Sequence, residues 1–183
     1  MRADARRNRE RIVEAARKVF GEAGNDAQMD DVAAAAGVGV GTVYRHFPNK
    51  DALIGELVNQ KFIAIGKLLD EAAQADGDKG EALLRSLAKG AEQMEADMAT
   101  QHALSGMPRP AVWEMCAMTV AGVNERSAKL IESGIASGSL RPDMTVADIR
   151  MLMGGVASTM ADPSLSGGWR RHLELMLDAL RAR

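Results

Sequence analysis

Residues 29–50, MDDVAAAAGVGVGTVYRHFPNK, constrain the fold more than any other stretch of the chain. Small apolar residues recur at helical spacing on both sides of Gly37, and Pro48 disfavours helix at the residue before it. Two short helices that meet at a three- to four-residue turn containing glycine form a helix-turn-helix. Gly37 suits the turn because glycine adopts a left-handed backbone that a Cβ atom would oppose.

Helical spacing of apolar residues also dominates the rest of the chain, beginning with Ile12, Ala16 and Phe20. No alternating run of β-branched and aromatic residues predicts a strand, and aromatic residues make up only 3% of the sequence. We therefore predict an all-α fold of about nine helices. An N-terminal three-helix domain with the helix-turn-helix would cover residues 1–50, and a larger helical domain would cover residues 51–183.

The second helix of the motif is the candidate DNA-reading element. It would present Val40, Gly41, Thr42, Tyr44 and Arg45 to a major groove about 12 Å wide. Glycine allows close approach to base edges, hydroxyl groups bond to phosphates or bases, and valine methyls can contact a thymine methyl. Lys50 begins the following helix, where backbone N–H groups already favour a phosphate.

Charge is distributed unevenly along the chain. The net charge is only −2, which argues against a nucleic-acid footprint over the whole surface. Residues 1–18 nevertheless carry seven arginine or lysine side chains and three acidic ones. This basic start could reach the minor groove or flanking phosphates, or it could be a solvated run of charge.

The sequence also bears on disulfide bonds and on the cellular compartment. One cysteine, Cys116, excludes an internal disulfide framework. The polar N-terminus does not fit a secretory signal, and no apolar run reaches the roughly 18–20 residues of a membrane span. We expect a cytoplasmic, nucleoid-associated protein.

The N-terminal third resembles the TetR family of bacterial transcriptional regulators. The matching residues lie within positions 8–60 and include Arg11-Ile12 through Phe20, Gly24, Asp31-Val32-Ala33, Ala36-Gly37-Val38, Gly41-Thr42-Val43-Tyr44, His46-Phe47 and Lys50-Asp51-Ala52-Leu53. The resemblance implies that the third helix enters the major groove of a near-palindromic operator. The positions that it and the residue chemistry assign to DNA contact are Gln28, Val40, Gly41, Thr42, Tyr44, Arg45, His46 and Lys50.

Two residues depart from the family pattern. Gln28 stands where the family usually has a Thr or Ser that caps the second helix and touches a phosphate, and glutamine caps poorly. Gly39 stands where a Ser usually caps the recognition helix, so a hydroxyl is absent there.

The resemblance also implies a homodimer formed through the last two helices and release of DNA by a small molecule in the larger domain. The apolar stripes of those two helices supply the candidate dimer interface: Leu152, Val156, Met160, Leu173, Met176, Leu177 and Leu180. Soft, adaptable methionines with one Trp and one His supply a candidate pocket for a largely apolar effector: Met94, Met98, His102, Met107, Trp113, Met115 and Met118. Ordinary core packing remains an alternative for each methionine.

Two other functions were considered. An enzyme would need a cluster of titratable groups, but His46, His102 and His172 have no metal-ligand spacing and no nucleophile motif occurs. A structural adaptor would leave the helix-turn-helix unexplained. We therefore predict a ligand-responsive repressor with no catalytic residues, metal or cofactor.

Overall fold

The computed structural model describes residues 2–97, 110–165 and 167–182. These residues form eight α-helices and two short 3-10 helices, with no strand beyond one isolated antiparallel bridge between Leu140 and Arg181. In chain order the helices are α1 (Arg2–Ala23), α2 (Met29–Ala36), α3 (Val40–His46), α4 (Lys50–Gln74), α5 (Lys79–Ala96), α6 (Pro110–Ala136), α7 (Val146–Ala161) and α8 (Gly168–Leu180). The all-helical prediction is confirmed, and a ninth helix is not among the residues described.

Three helices begin with a side-chain cap. Asn49 Oδ1 accepts a hydrogen bond from the Ala52 backbone N–H at 2.8 Å, at the start of α4. Asp78 Oδ1 accepts from the Glu81 N–H at 2.9 Å, at the start of α5. Thr145 forms a capping box before α7. Each cap satisfies a backbone donor that the first turn of a helix leaves without a partner.

The chain divides into two compact units. Unit 1 comprises Met1–Lys61 and Asp97–Ala117, and unit 2 comprises Phe62–Ala96 and Met118–Arg183. This division follows packing; a functional boundary at residue 50 stays a prediction.

Helices α1, α2 and α3 pack on one another in unit 1. Their shared interior is built from fully or almost fully buried side chains: Ile12, Ala16, Phe20, Val32, Ala33, Ala36 and Val43. Phe47, just after α3, is also buried, with 3% of its surface exposed. The first three helices of the sequence prediction therefore form one small helical body.

The core of unit 2 is made by α5, α7 and α8 together with parts of α4 and α6. Its buried members include Leu83, Leu87, Leu130, Val156 and Trp169. Helices α5 and α6 approach closely where Gly80 and Gly134 meet, because neither residue has a side chain to separate the backbones.

Candidate nucleic-acid interface

The turn between α2 and α3 has the geometry that the sequence predicts. Gly37 has φ 62° and ψ 40°, in the left-handed region. Its N–H donates to the Ala34 carbonyl and the Val38 N–H donates to the Ala33 carbonyl, both at 3.1 Å. This pair of hydrogen bonds is a Schellman motif, which ends α2 and redirects the chain into α3.

Helix α3 has one fully buried residue. Val43 is fully buried, whereas Val40 and Tyr44 are 41% and 48% exposed. Gly41 and Arg45 are exposed as well, and Thr42 and His46 are half-buried. Since residues four apart share a helix face, Val40, Gly41, Tyr44 and Arg45 form one outward surface two turns long.

Arg45 folds back along this outward surface. Its Nε donates to the Gly41 carbonyl at 3.2 Å, and its Nη2 lies 3.4 Å from Thr42 Oγ1. The guanidinium therefore lies beside two other candidate DNA contacts.

Gln28 and Lys50 flank the recognition helix in sequence. Gln28 is exposed, and its backbone N–H donates to Asp31 Oδ2 at 2.9 Å. This bond is the half of a capping box in which the third residue of α2 satisfies the N–H of the residue before the helix. Lys50 is half-buried at the start of α4, with its ammonium group 5.7 Å from the centre of the Phe20 ring.

Part of the basic N-terminal run is held inside unit 1. Arg11 Nη2 donates to the Ala36 carbonyl at 2.6 Å, at the end of α2. Arg9 grips both carboxylate oxygens of Glu56, at 3.0 and 2.6 Å. In contrast, the Arg6 side chain is 80% exposed, and its Nε lies 3.6 Å from Oε1 of Glu10, one turn along α1.

The Glu56 carboxylate belongs to a longer polar network. Although burial alone would raise the pKa of Glu56, hydrogen bonds from Arg9 and Gln60 hold it below its usual range. Gln60 in turn accepts from Arg17 Nη2 at 2.8 Å, and Arg17 Nη1 lies 3.3 Å from Asp97 Oδ2. This network is not predictable from the sequence, because no local pattern pairs α1 with α4.

Comparisons with known proteins agree with this geometry. The family described as bacterial regulatory proteins, tetR family, matches residues 12–57. HTH-type transcriptional regulators from Staphylococcus aureus are 48% identical over 54 residues, a stretch that spans 29% of this chain and 29% of theirs. A TetR transcription regulatory protein from Mycobacterium vanbaalenii is 30% identical, with 99% of both chains covered and a TM-score of 0.67.

This chain belongs to the TetR family. It is a helix-turn-helix transcriptional regulator that binds DNA, as the sequence resemblance implied. The fold is shared by the transcriptional regulator FadR from Bacillus subtilis, whose crystal structure is a complex with stearoyl-CoA. The two chains are 22% identical, with 93% of this chain and 98% of that chain covered and a TM-score of 0.72.

The described candidate effector residues of this TetR-family protein differ in exposure. Met94 on α5 is half-buried, whereas on α6 Trp113, Met115 and Met118 are 56%, 50% and 89% exposed. Met98, His102 and Met107 lie outside the described residues. The assignment of these residues to an effector pocket therefore stays a prediction.

A cleft of about 440 Å³ does occur in unit 2, and none of the described candidates, Met94, Trp113, Met115 and Met118, lines it. Its walls are mostly charged: Asp70, Ala73, Lys79, Glu125, Arg126, Lys129, Leu130 and Ser133. These charges are paired: Arg126 on α6 binds Asp70 on α4, and Lys129 binds Glu125 one turn earlier on α6, each at 2.7 Å.

The dimer interface stays a prediction, and several of its candidate side chains are already covered within the single chain. Val156, Leu173, Met176 and Leu180 are buried in the core of unit 2, with at most 8% of their surface exposed. A partner subunit cannot reach side chains that are already enclosed. Leu152, Met160 and Leu177 are half-buried and pack against the same core.

Different apolar residues of the same region face outward. Met151 on α7 is 67% exposed, Leu175 on α8 is 52% exposed, and Leu165 in the connecting segment is 50% exposed. The outer face of α7 also carries Gly154, where an added Cβ would meet no atom within 4 Å. Helical periodicity detects an apolar stripe but does not tell whether the core or a partner covers it.

Two further observations concern the described residues alone. Among them, no group of three or more His, Cys, Asp or Glu side chains is arranged to hold a metal ion. None of the helices in those ranges is long and apolar enough to cross a membrane.

Proposed function

We propose that this TetR-family regulator is a homodimeric repressor that binds a near-palindromic operator through α3 and leaves it when a small molecule binds. The observation that supports DNA reading most directly is the outward surface of α3. Val43 anchors the helix, while Val40, Gly41, Tyr44 and Arg45 are exposed together. A two-turn helix with an exposed face of this kind fits the major groove.

The DNA contacts follow from the chemistry of that surface. Gly41 lets the backbone approach the base edges, and Val40 offers methyl groups to a thymine. Tyr44, Thr42 and Arg45 supply hydrogen bonds to bases or phosphates. Phosphate contacts hold the register of the protein, and base contacts specify the sequence.

The candidates at the edges of this surface are Gln28, His46 and Lys50. Gln28 and Lys50 flank the groove-facing helix, where backbone and side-chain donors suit phosphates. His46 is half-buried next to Phe47, with the ring centroids 6.5 Å apart, so its contact would use the exposed edge of the imidazole.

The dimer would form through the outer faces of α7 and α8. Exposed Met151 and Leu175 supply apolar area, and Gly154 allows a partner helix to approach closely. A two-fold dimer would place two copies of α3 in successive major grooves, roughly 34–36 Å apart. Operator symmetry would then mirror protein symmetry.

The effector would act on the larger domain at residues 51–183. The fold neighbour from Bacillus subtilis was crystallised with stearoyl-CoA, which makes an acyl-CoA a reasonable first probe. Met94, Met115 and Trp113 supply apolar side chains in that part of the chain. A ligand weakens DNA binding only as far as it prefers the DNA-free conformation, typically by about 1–3 kcal/mol.

The DNA-binding test uses a duplex that the protein itself selects from a random-sequence pool. Tyr44→Ala should lower affinity for that duplex about ten-fold or more, since a specific contact is typically worth about 1–3 kcal/mol. Met118→Ala is the matched control, because Met118 is 89% exposed and lies outside the helix-turn-helix. Selection of no duplex, or equal binding by Tyr44→Ala, would refute the assignment of α3.

The dimer test compares two neighbouring leucines of α8. Leu175→Asp should give folded monomers, because Leu175 is exposed in the single chain, whereas Leu173→Asp should unfold unit 2. Molar mass from light scattering and helical content from circular dichroism separate these outcomes. A folded Leu175→Asp dimer would exclude the outer face of α8 as the interface.

The effector test titrates stearoyl-CoA into the protein–duplex complex. Coenzyme A alone and stearate alone serve as controls that separate the nucleotide part from the acyl chain. If none of the three compounds releases the duplex, acyl-CoA compounds of this length are not effectors. The proposal that the protein binds DNA would not be affected by that result.

A further inference from the structure

Two arginines of α1 contact the helix-turn-helix at the ends of α2 and α3. Arg11 bonds to the Ala36 carbonyl at the end of α2. The Arg9 guanidinium lies 5.1 Å from the centre of the Phe47 ring, immediately after α3, and also binds Glu56 on α4. Arg9 thus touches the end of the recognition helix and the start of the long helix that follows it.

The Arg9–Glu56 contact is more than a surface ion pair. The Glu56 side chain is only 16% exposed, compared with 42% for Arg9. Oε1 of Glu56 accepts from Arg9 at 3.0 Å and from Gln60 at 2.7 Å, and Oε2 accepts from Arg9 at 2.6 Å. A two-pronged contact to a largely buried carboxylate fixes the guanidinium plane, which a single exposed contact does not.

Phe47 transmits this constraint to α3. Its N–H donates to the Val43 carbonyl at 2.8 Å, and Val43 is the one buried residue within α3. With Arg9 over the ring, the last turn of the recognition helix is held by a hydrogen bond, by burial and by a cation–π contact.

We propose that Arg9 and Glu56 are positioning residues for operator binding, acting on α3 through Phe47 rather than by touching DNA. The proposal rests on the proposed role of α3 as the DNA-reading helix. Arg9 belongs to the basic run of α1, for which phosphate contact is the alternative role. Under this proposal Arg9 instead orders the helix-turn-helix from within the protein.

For the variant Glu56→Gln, this proposal and simple electrostatics predict opposite changes in DNA affinity. Glu56→Gln removes a negative charge from a DNA-binding unit, which by itself strengthens attraction to phosphates. If Glu56 positions Arg9, the same change instead weakens binding to the selected duplex. The matched control is Glu10→Gln on α1, which makes the same change of charge at a side chain that is 66% exposed.

The experiment measures affinity for the selected duplex and for a scrambled duplex of equal length, at several salt concentrations. Glu56→Gln and Arg9→Gln should each bind the selected duplex about ten-fold more weakly than Glu10→Gln and Arg6→Gln respectively, the loss expected for one charge-assisted contact. Binding to the scrambled duplex should match that of the control. The double variant should bind the selected duplex no more weakly than the weaker-binding of the two single variants, because both changes break the same contact.

Salt dependence separates positioning from phosphate contact. Loss of a phosphate contact lowers the slope of log affinity against log salt by about 1, whereas loss of a positioning contact leaves the slope unchanged. Arg9→Lys adds a second check, since it keeps the charge but cannot grip both carboxylate oxygens. It should lose affinity for the selected duplex only.

Three results would overturn the proposal. They are tighter binding by Glu56→Gln, a reduced salt slope for Arg9→Gln, or parallel losses on both duplexes that track a lower folded fraction in thermal unfolding. If wild-type protein selects no duplex at all, the proposed function fails first and this inference falls with it.

Discussion

The close approach of α5 and α6 makes Gly134→Ala a sharp test of the packing in unit 2. A Cβ at position 134 would lie 2.7 Å from the Gly80 Cα and 2.5 Å from Leu140 Cδ1. The first atom belongs to a backbone, and the second to a side chain that is only 1% exposed, so neither can move cheaply. Overpacking of this kind costs about 1–3 kcal/mol, more than the helix propensity gained by alanine.

The matched control lies on α5. A Cβ at Gly90 would meet only Leu68 Cδ1, at 3.9 Å, which is an ordinary contact. Gly90→Ala should therefore stabilise the protein by about 0.5–1 kcal/mol through helix propensity alone.

Thermal unfolding at equal protein concentration measures both changes. For a chain of this size each kcal/mol shifts the midpoint by about 2–4 °C, so the two variants should move in opposite directions. A Gly134→Ala protein as stable as the wild type would show that the helices are not in contact at this point.

Three other substitutions have expected outcomes. Gly37→Ala should cost about 1–2 kcal/mol in urea unfolding, because its φ of 62° is left-handed; no loss would mean the turn relaxes freely. Hydrogen bonds from Ser137 and Ser139 lower the pKa of Asp78 to about 2. The ionised carboxylate therefore adds about 1 kcal/mol, after solvent screening, to the free energy of unfolding at neutral pH. This contribution is lost as the pH falls from about 4 to 2. Unfolding of Asp78→Asn against wild type at pH 7 and pH 2 should show that difference shrink, and a constant difference would contradict it. Thr145→Ala should lower the urea midpoint by the equivalent of about 1 kcal/mol with an unchanged slope, since it removes a helix cap; an unchanged midpoint would show the cap to be redundant.

The parts of the structure that depend on neighbouring residues were predictable from the sequence. Pro48 and Gly37 bracket α3, and Asn49 caps α4, because turn and cap chemistry act within four residues. The same local rules predicted that Tyr44 faces outward. The helix-turn-helix is therefore predictable from the sequence alone.

Features that depend on distant residues were not predictable in the same way. Leu173 and Leu175 both belong to an apolar helix, but only the three-dimensional core shows that the first is enclosed and the second exposed. Likewise, Arg9 looks like any other member of a basic run until Glu56, 47 residues away, is found beside it. Pairing of charges across helices leaves no periodic trace in the sequence.

The single buried residue of α3 has a consequence for how such regulators diversify. Because Val43 is the one fully enclosed residue of this helix, the exposed residues around it contribute little to the free energy of folding. If α3 reads DNA as proposed, mutations at Val40, Gly41, Tyr44 or Arg45 change which base pairs are preferred while the domain stays folded. Under that proposal, target choice and folding are separable properties, and a lineage can acquire a new binding sequence without first acquiring a new scaffold.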